Sequence, residues 1–209
     1  EHAPVAAEPT AGIVGDYLEI EALARRSRRS HPGLEVTVLR PATLVGPGVD
    51  TVLTRHFEAP RLLTVKGCSP RWQFCHVDDL VSALELAALG TVSGVVAVGC
   101  DGWLEMEQVE EISGLRRLEL PAGLTFGTAQ RLHRLGFTPA PATDLNYVVY
   151  PWVVDCAKLR AAGWKPSWTN EAALRQLIEL REGRRAVVGR RVSGKDATLT
   201  AATAAGATA

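Results

Sequence analysis

Short runs of apolar and β-branched residues alternate along the chain with amphipathic stretches. The clearest run covers residues 36–39, Val-Thr-Val-Leu, and is too short for a helix, so it predicts a buried strand. Because proline cannot donate to a strand ladder, we expect this strand, starting near residue 34, to end at Arg40, before Pro41. Gly46-Pro47-Gly48 then forms a loop whose backbone can turn tightly. A buried parallel strand that ends in a glycine-rich loop is a typical ligand site of open α/β sheets, and an ordinary turn is the alternative.

An amphipathic pattern precedes this strand and predicts a helix over residues 14–30. Asp16 is a candidate N-cap, with Glu19 three positions later as in a capping box. Its expected apolar face consists of Leu18, Ala22 and Leu23. Arginines are concentrated in its last turns, where cations stabilise the helix dipole. His31-Pro32-Gly33 is expected to end the helix.

The same reasoning predicts the remaining elements. Strands are expected at 62–65, 71–77, 94–98 and 116–120. Helices are expected at 50–58 with Asp50 or Thr51 as the cap, at 78–89 with Asp78 or Asp79, at 104–113, at 122–136, from Asp155 to 162, and from the cap Asn170 onward. The last helix is expected to bury Ala173, Leu174, Leu177 and Ile178.

Composition narrows the class of protein. The 209 residues are 46% hydrophobic and carry no net charge, which indicates a globular domain and argues against nucleic-acid partners. No stretch reaches the about 18 consecutive apolar residues of a membrane-spanning helix, so we expect no membrane partner. The four cysteines, Cys68, Cys75, Cys100 and Cys156, are far apart and form no zinc-binding pattern, so no metal is expected. We interpret them as reduced, mostly buried thiols of a cytoplasmic protein.

Three segments together resemble a known family. They are Leu-Arg-Pro followed by Gly-Pro-Gly at 39–48, His-Val-Asp-Asp at 76–79, and Asp-Cys-Ala-Lys-Leu-Arg-Ala-Ala-Gly-Trp-Lys-Pro at 155–166. Their order resembles the carboxyl-terminal half of the extended short-chain dehydrogenase/reductase family, the NAD-dependent epimerases and dehydratases. The resemblance spans residues 13–182. It implies an α/β fold: the carboxyl-terminal part of a Rossmann-like parallel sheet plus a small α+β substrate lobe.

The resemblance also implies how the chain is divided. Residues 1–12 are expected to be a loop or disordered, 13–195 a truncated Rossmann-like region with its lobe, and 196–209 a low-complexity Ala/Thr tail. The chain lacks an initial Met and any Gly-x-Gly-x-x-Gly turn. We therefore interpret it as a fragment of an NAD(P)-dependent epimerase/dehydratase-like protein. NAD or NADP is expected to bind the full-length protein, and we do not expect the fragment alone to bind it.

The family's catalytic Tyr-x-x-x-Lys motif falls on the first helix. Anchoring on Glu19-Ile20-Glu21 places the Tyr position at Ile13 and the Lys position at Tyr17; the other register puts Tyr17 at the Tyr and Glu21 at the Lys. Neither register restores the pair, in which the phenol transfers a proton and the ammonium lowers its pKa. Tyr17 remains the candidate catalytic residue. The alternative function is a non-catalytic sensor or scaffold that binds a dinucleotide or metabolite.

Binding residues follow from the same resemblance. Pro41, Ala42 and Thr43 match the family loop that passes the nicotinamide end of the cofactor, and the position of Thr43 also commonly touches substrate. Arg40 is expected to be a structural or loop-pairing residue. These residues imply a small-molecule substrate, for which a sugar derivative is one candidate, and a homodimer is a candidate assembly.

Three further residues are substrate-binding candidates. Nucleotide-sugar enzymes of the family place a phosphate-clamping arginine four residues before the motif histidine, His76; here that position is Trp72, with Arg71 one step before it. This departure argues against a diphosphate substrate, since a planar bidentate cation is missing. Trp72 is expected either in the core or on the wall of the ligand groove. His76 is expected either to fix the site loop or to be a core histidine satisfied by a backbone group.

Overall fold

The computed structural model of the chain describes residues 13–123 and 149–183. Six helices and six strands occur in this part of the chain. In chain order they are α1 (Ile13–Ser30), β1 (Val38–Pro41), β2 (Thr43–Val45), α2 (Val52–His56), β3 (Leu62–Val65), β4 (Phe74–His76), α3 (Val77–Ala88), β5 (Val95–Val98), α4 (Met106–Ser113), β6 (Arg117–Leu120), α5 (Ala157–Ala161) and α6 (170–183). The segments 1–12 and 196–209, and most of the helix expected at 122–136, lie outside the described residues.

The described strands form three parallel pairs, β1 with β5, β2 with β4, and β3 with β6. Parallel pairing with helices in the connections is the α/β architecture that the sequence predicts. The strands expected at 62–65, 94–98 and 116–120 are confirmed. The strand expected at 71–77 is shorter, because Val77 already begins α3 and the pairing before Phe74 consists of two isolated bridges of Trp72, to Leu104 and to Trp152.

Pro41 is the last residue of β1, so the prediction that the strand stops at Arg40 is wrong. Val38 and Ala42 donate their backbone N–H groups to the carbonyls of Gly94 and Val98. Alternate residues of a strand donate to the same neighbour, so the nitrogen of Pro41 faces away from β5 and no ladder bond is lost. Thr43 then donates to the Gln73 carbonyl, and the chain changes its partner from β5 to β4.

The core consists of two clusters of buried residues. One surrounds the β1–β5 pair and packs α3 and α5 against it through residues such as Ala83, Val96 and Leu159. The other joins β2, β4, α2, α4 and α6, with Trp72 and Phe74 among its largest members. The predicted inward face of α6, Ala173, Leu174, Leu177 and Ile178, lies in this second cluster and is confirmed. Aromatic side chains contribute large buried areas, so Trp72 and Phe74 dominate its packing.

The cap of α2 was correctly predicted, since the side chain of Thr51 accepts from the backbone N–H of Thr54. At the first helix, the predicted N-cap Asp16 is wrong, because α1 already begins at Ile13 and Asp16 lies in its first turn. A carboxylate in that turn is still favourable for the helix dipole.

Three other caps differ from the prediction. His76, and neither Asp78 nor Asp79, is the N-cap of α3. Thr169 precedes α6, and its hydroxyl accepts from the Ala172 N–H. Cys156 holds the N-cap position of α5, although Asp155 still accepts from the Ala157 N–H.

Candidate functional site

The carboxyl ends of β1 and β5 and the start of β2 meet at one point. Ala42 donates to the carbonyl of Val98 at 2.8 Å, and Cys100 donates to that of Phe74 at 2.8 Å. A Cβ placed on Gly99 would lie 3.1 Å from Nε2 of Gln73 and 3.2 Å from Cβ of Ala42, so only glycine permits this close approach without displacement. The strand ends thus meet at the edge of the sheet beyond which open α/β folds bind their ligands.

The three residues expected to bind the cofactor lie at this point but differ in exposure. Pro41 is exposed, Ala42 is 7% exposed, and Thr43 is fully buried. The Thr43 hydroxyl has no hydrogen-bond partner among the described residues. An unpaired buried hydroxyl is costly, so it is a group that a ligand or a bound water would satisfy. Only Pro41 presents an open surface to a ligand without movement of its neighbours.

The loop at Gly46-Pro47-Gly48 lies directly on the junction of β4 and α3. Gly46 has φ of 137°, a conformation that side chains disfavour. A Cβ there would come within 2.5 Å of Cγ2 of Val77 and 3.2 Å of Nε2 of His76. Glycine is therefore required by both the backbone conformation and the space. On its inner side the loop therefore approaches other residues of the chain, Val77 and His76, closely.

His76 is 1% exposed and lies below this loop. Its Nδ1 accepts from the backbone N–H of Asp78 at 3.2 Å, and its Nε2 lies 2.7 Å from Oε1 of Gln176. Its ring stacks on Trp168 with centroids 3.8 Å apart. Contact with a backbone group and contact with the site loop are both present, so the two alternatives for this histidine are compatible.

Arg40 has the structural role predicted for it. Its Nε donates to Oε1 of Glu21 on α1 at 2.7 Å, and this bond holds the pKa of the Glu21 carboxyl below its ordinary value. Glu21 also lies 3.7 Å from Arg25. Tyr17, one helical turn earlier, is 54% exposed. The position that holds the lysine of the family in one register is thus a carboxylate already paired with a strand arginine.

The phosphate-clamp position is part of the core. Trp72 is 1% exposed and stacks between His56 and Phe74, so the alternative of a groove wall is wrong and the core alternative is confirmed. Arg71 points to the surface, where its Nε donates to Glu105 at 3.0 Å and its guanidinium lies 5.0 Å from the ring centre of Trp103. Successive residues of an extended segment point to opposite sides, which places Trp72 in the core and Arg71 at the surface.

Several polar residues at the site were missed by sequence analysis. Gln73 donates to the Cys100 carbonyl and accepts from the Val154 N–H, and Asn170 accepts from the Phe74 N–H. Asn170 was expected to be a helix cap, but its side chain instead joins α6 to β4, since its Nδ2 also donates to the Asp101 carbonyl. Their partners are 27 to 96 residues away in sequence, so no local pattern reveals these contacts.

Asp79 joins two elements. Its Oδ1 accepts from the backbone and hydroxyl of Ser167 at 2.7 and 2.6 Å, and Oδ2 accepts from the Trp168 N–H at 3.2 Å. The carboxylate therefore holds the segment before α6 against α3.

The cysteines are free, and three of them are buried, as predicted. Burial raises the pKa of Cys100 to about 12 and that of Cys156 to about 11, and it raises the pKa of Cys75 further. A thiol so far from its thiolate form is a poor nucleophile. In residues 13–123 and 149–183, no group of three His, Cys, Asp or Glu side chains could hold a metal ion, and no helix has the length and apolar character to cross a bilayer.

Comparison with known proteins finds one matching family model and relatives of moderate identity. Residues 18–99 match the model of the NAD dependent epimerase/dehydratase family. Uncharacterised proteins of Mycobacterium bovis and Mycobacterium tuberculosis are each 32% identical to the chain over 164 residues. That match covers 78% of the chain and 43% of each relative, so the chain spans less than half the length of the curated relatives it matches.

Solved structures show the same fold at low sequence identity. The chain is similar to RMD from Pseudomonas aeruginosa complexed with NADPH, with a TM-score of 0.55 and 18% identity over 88% of this chain and 60% of that one. A UDP-glucose 4-epimerase of Thermus thermophilus in complex with NAD has a TM-score of 0.55 and 19% identity over 81% and 53%. A dTDP-glucose 4,6-dehydratase of Bacillus anthracis in complex with NAD has a TM-score of 0.54 and 16% identity over 85% and 54%. These likenesses establish a Rossmann-like α/β fold.

Proposed function

We propose that this chain, whose residues 18–99 match the model of the NAD dependent epimerase/dehydratase family, forms the carboxyl-terminal strands and substrate lobe of an NAD(P)-dependent epimerase/dehydratase-like protein. The observation that carries this proposal is the meeting of the β1, β2 and β5 ends at Ala42 and Gly99, beside the Gly46 loop. Ligands of open α/β sheets bind at such a crevice. The division at residues 13–195, with a low-complexity tail after it, is part of the same proposal.

The cofactor side of this proposal rests on three residues. The exposed ring of Pro41 offers a surface for the nicotinamide end of NAD or NADP, beside the small side chain of Ala42. The unpaired hydroxyl of Thr43 can donate or accept one hydrogen bond once a neighbouring group moves. NAD or NADP would supply hydride acceptance there. The chain's own contribution is to bind and orient.

A second candidate function is non-catalytic binding of a dinucleotide or metabolite, and one observation favours it. Glu21, at the lysine position of one register, is bound to Arg40 and carries a negative charge where the chemistry needs a positive one. Tyr17 therefore has no lysine on the next turn to lower the pKa of its phenol. General acid–base catalysis typically accelerates a reaction by about 10²-fold to 10⁴-fold.

We therefore expect NADH production at less than about 1 turnover per second with a panel of nucleotide sugars. If activity were present and were lost in Tyr17→Phe, Tyr17 would be the acid.

The substrate is proposed to be a small molecule, with a sugar derivative as one candidate. Trp72 fills the core at the clamp position, and Arg71 is already bound to Glu105. No planar cation at these two positions is therefore free for a diphosphate, which such groups usually bind in bidentate fashion. These features favour a substrate without a diphosphate. The buried free thiols support a cytoplasmic location.

A homodimer is proposed on the basis of the outer face of α1. Tyr17, Ile20 and Leu23 are 54%, 57% and 58% exposed and follow one another at three-residue spacing along α1. Leu23, expected on one apolar face with Leu18 and Ala22, thus lies on the exposed side of the helix, whereas those two are half-buried. An exposed apolar stripe of this kind marks an interface.

The charges on α1 are arranged so that a second copy would match it. Asp16 and Glu19 are exposed near its start, and Arg26 and Arg29 are exposed near its end. Two copies related by a two-fold axis perpendicular to α1 would pair these helices antiparallel, which brings the acidic end of one helix to the basic end of the other.

The test of the cofactor site is calorimetric titration of NAD and NADPH into this 209-residue chain and into the complete gene product. We expect no micromolar binding by the chain alone, since it has no glycine-rich turn to hold the pyrophosphate. In the complete product, Thr43→Val should weaken binding by about fivefold to tenfold, the value of one hydrogen bond. Thr64→Val is the matched control, because Thr64 is also buried with an unpaired hydroxyl but lies on β3. Equal effects of the two variants would contradict the role of Thr43 in cofactor binding. Micromolar NAD binding by the chain alone would contradict the expectation that binding needs a glycine-rich turn.

A further inference from the structure

Two side chains limit the space at Gly46. A Cβ placed on Gly46 would lie 2.5 Å from Cγ2 of Val77 and 3.2 Å from Nε2 of His76, so both side chains lie close to this face of the loop. Close packing transmits displacement, because a close-packed group cannot move without its neighbours. The position of the loop over the sheet therefore depends on the His76 ring as well as on Val77.

The ring itself is fixed by contacts from other elements. Trp168, in the segment before α6, stacks on its face, and Gln176 of α6 lies 2.7 Å from Nε2. Nδ1 accepts the N–H of Asp78. Since Nδ1 is an acceptor, the proton of the neutral ring is on Nε2, and Nε2 donates to the amide oxygen of Gln176.

Asp78 closes this group of contacts. Its Oδ2 accepts from the indole N–H of Trp168 at 3.2 Å and lies 3.1 Å from Nδ1 of His76. If the proton were on Nδ1, it could be donated to Oδ2 of Asp78. The Gln176 side-chain amide would then be flipped so that its NH₂ group donates to Nε2. The two arrangements differ in which nitrogen carries the proton, and we assign it to Nε2 on the basis of the bond from the Asp78 N–H to Nδ1.

We propose that His76 is the positioning residue of the Gly46-Pro47-Gly48 loop, and that Gln176 holds it there by accepting the proton of Nε2. The loop and α6 are then mechanically coupled through one imidazole, although they are about 130 residues apart in sequence. A shift of α6 moves the loop, and a ligand that presses on the loop is felt at α6. That the loop contacts a ligand rests on the proposed function; the coupling itself does not.

Two pairs of variants separate this role from simple helix capping. His76→Asn keeps an acceptor at the place of Nδ1, and asparagine is a favoured N-cap, but it loses Nε2 and the ring below Gly46. Gln176→Leu removes the acceptor for Nε2 at nearly constant volume. Gln176→Glu retains a carbonyl-type oxygen and serves as the rescue variant.

The experiment is NMR measurement of amide–solvent exchange in the chain without ligand. The Val49 N–H donates to the Gly46 carbonyl at 3.2 Å and reports on the loop, whereas the Asp78 N–H reports on the cap. We expect Val49 exchange to be about tenfold faster in His76→Asn and Gln176→Leu, with Asp78 exchange unchanged and Gln176→Glu close to the parent. A long-range ¹H–¹⁵N spectrum of the parent should show the proton on Nε2 of His76.

Unchanged Val49 exchange in Gln176→Leu, or a proton on Nδ1 in the parent, would overturn the proposal. Should His76→Asn not fold, these two measurements still decide. Because no cofactor is present, the exchange result is independent of the NAD titration. If the complete gene product does not bind NAD or NADPH but Val49 exchange is faster in the variants, only the proposed function is refuted.

Discussion

His56 is an ionisable ring buried in the aromatic part of the core, which makes the stability of the chain depend on pH. It is the last residue of α2 and 7% exposed. Its ring stacks on Trp72 with centroids 5.6 Å apart and an interplanar angle of 12°, and it meets the edge of Phe57 at 5.5 Å. Burial lowers the pKa of His56 from its ordinary 6.5 to about 4, since the charged form would lose its hydration.

The sign of the effect follows from proton binding in the two states. Between pH 6.5 and about 4 the unfolded chain binds a proton at this residue and the folded chain does not. The free energy of unfolding therefore decreases as the pH falls through this window, and it levels off below it. At about 1.36 kcal/mol for each pKa unit, the full decrease is on the order of 3 kcal/mol.

The assay is urea denaturation, followed by tryptophan fluorescence, of the parent chain and of His56→Phe. Phenylalanine keeps a flat ring against Trp72 but cannot be protonated. Other titrating groups contribute equally to both proteins, so the difference isolates His56. Between about pH 7.5 and about pH 4.5 the parent should lose about 2–3 kcal/mol more than the variant.

The reasoning would be refuted by parallel pH profiles for the two proteins. It would also be refuted by an NMR titration in which the His56 ring of the folded chain has a pKa near its ordinary 6.5. In either case, water reaches the ring, and the stacking on Trp72 does not exclude solvent.

Two other substitutions test contacts elsewhere in the chain. Asp79→Ala should lower the free energy of unfolding by about 3–5 kcal/mol, because it leaves donors of Ser167 and Trp168 without an acceptor; in the same denaturation assay, a loss below about 1 kcal/mol would show that solvent replaces the carboxylate. Leu23→Glu should convert the proposed homodimer to monomer in sedimentation velocity, whereas Leu89→Glu, at a 79% exposed position on another helix end, should not change the mass. A monomeric parent chain would contradict the dimer.

The sequence was a good guide where the information is local. The β5 run Val-Val-Ala-Val and the inward face of α6 were both identified correctly, because burial on a strand or helix imposes a short repeat on neighbouring residues. Three separate segments resemble the NAD-dependent epimerase/dehydratase family, and residues 18–99 match the model of that family. The Gly46 turn was also identified correctly, since a positive φ demands glycine wherever the turn lies.

Roles that depend on distant partners could not be predicted in the same way. Asn170 and Asp79 are residue types that are common at helix caps. Only the packing of α6 against β4 and α3 lets their side chains hydrogen-bond to other elements. The sequence left two locations for Trp72, the core and the wall of the ligand groove, because residue type does not show which face of a strand meets the protein interior. Local propensity and period are properties of neighbouring residues, whereas the partners of a buried polar group are chosen by the fold. The sequence by itself thus determined most of the helices and strands, and the tertiary structure decided that His76, below the site loop, is held by a glutamine 100 residues away.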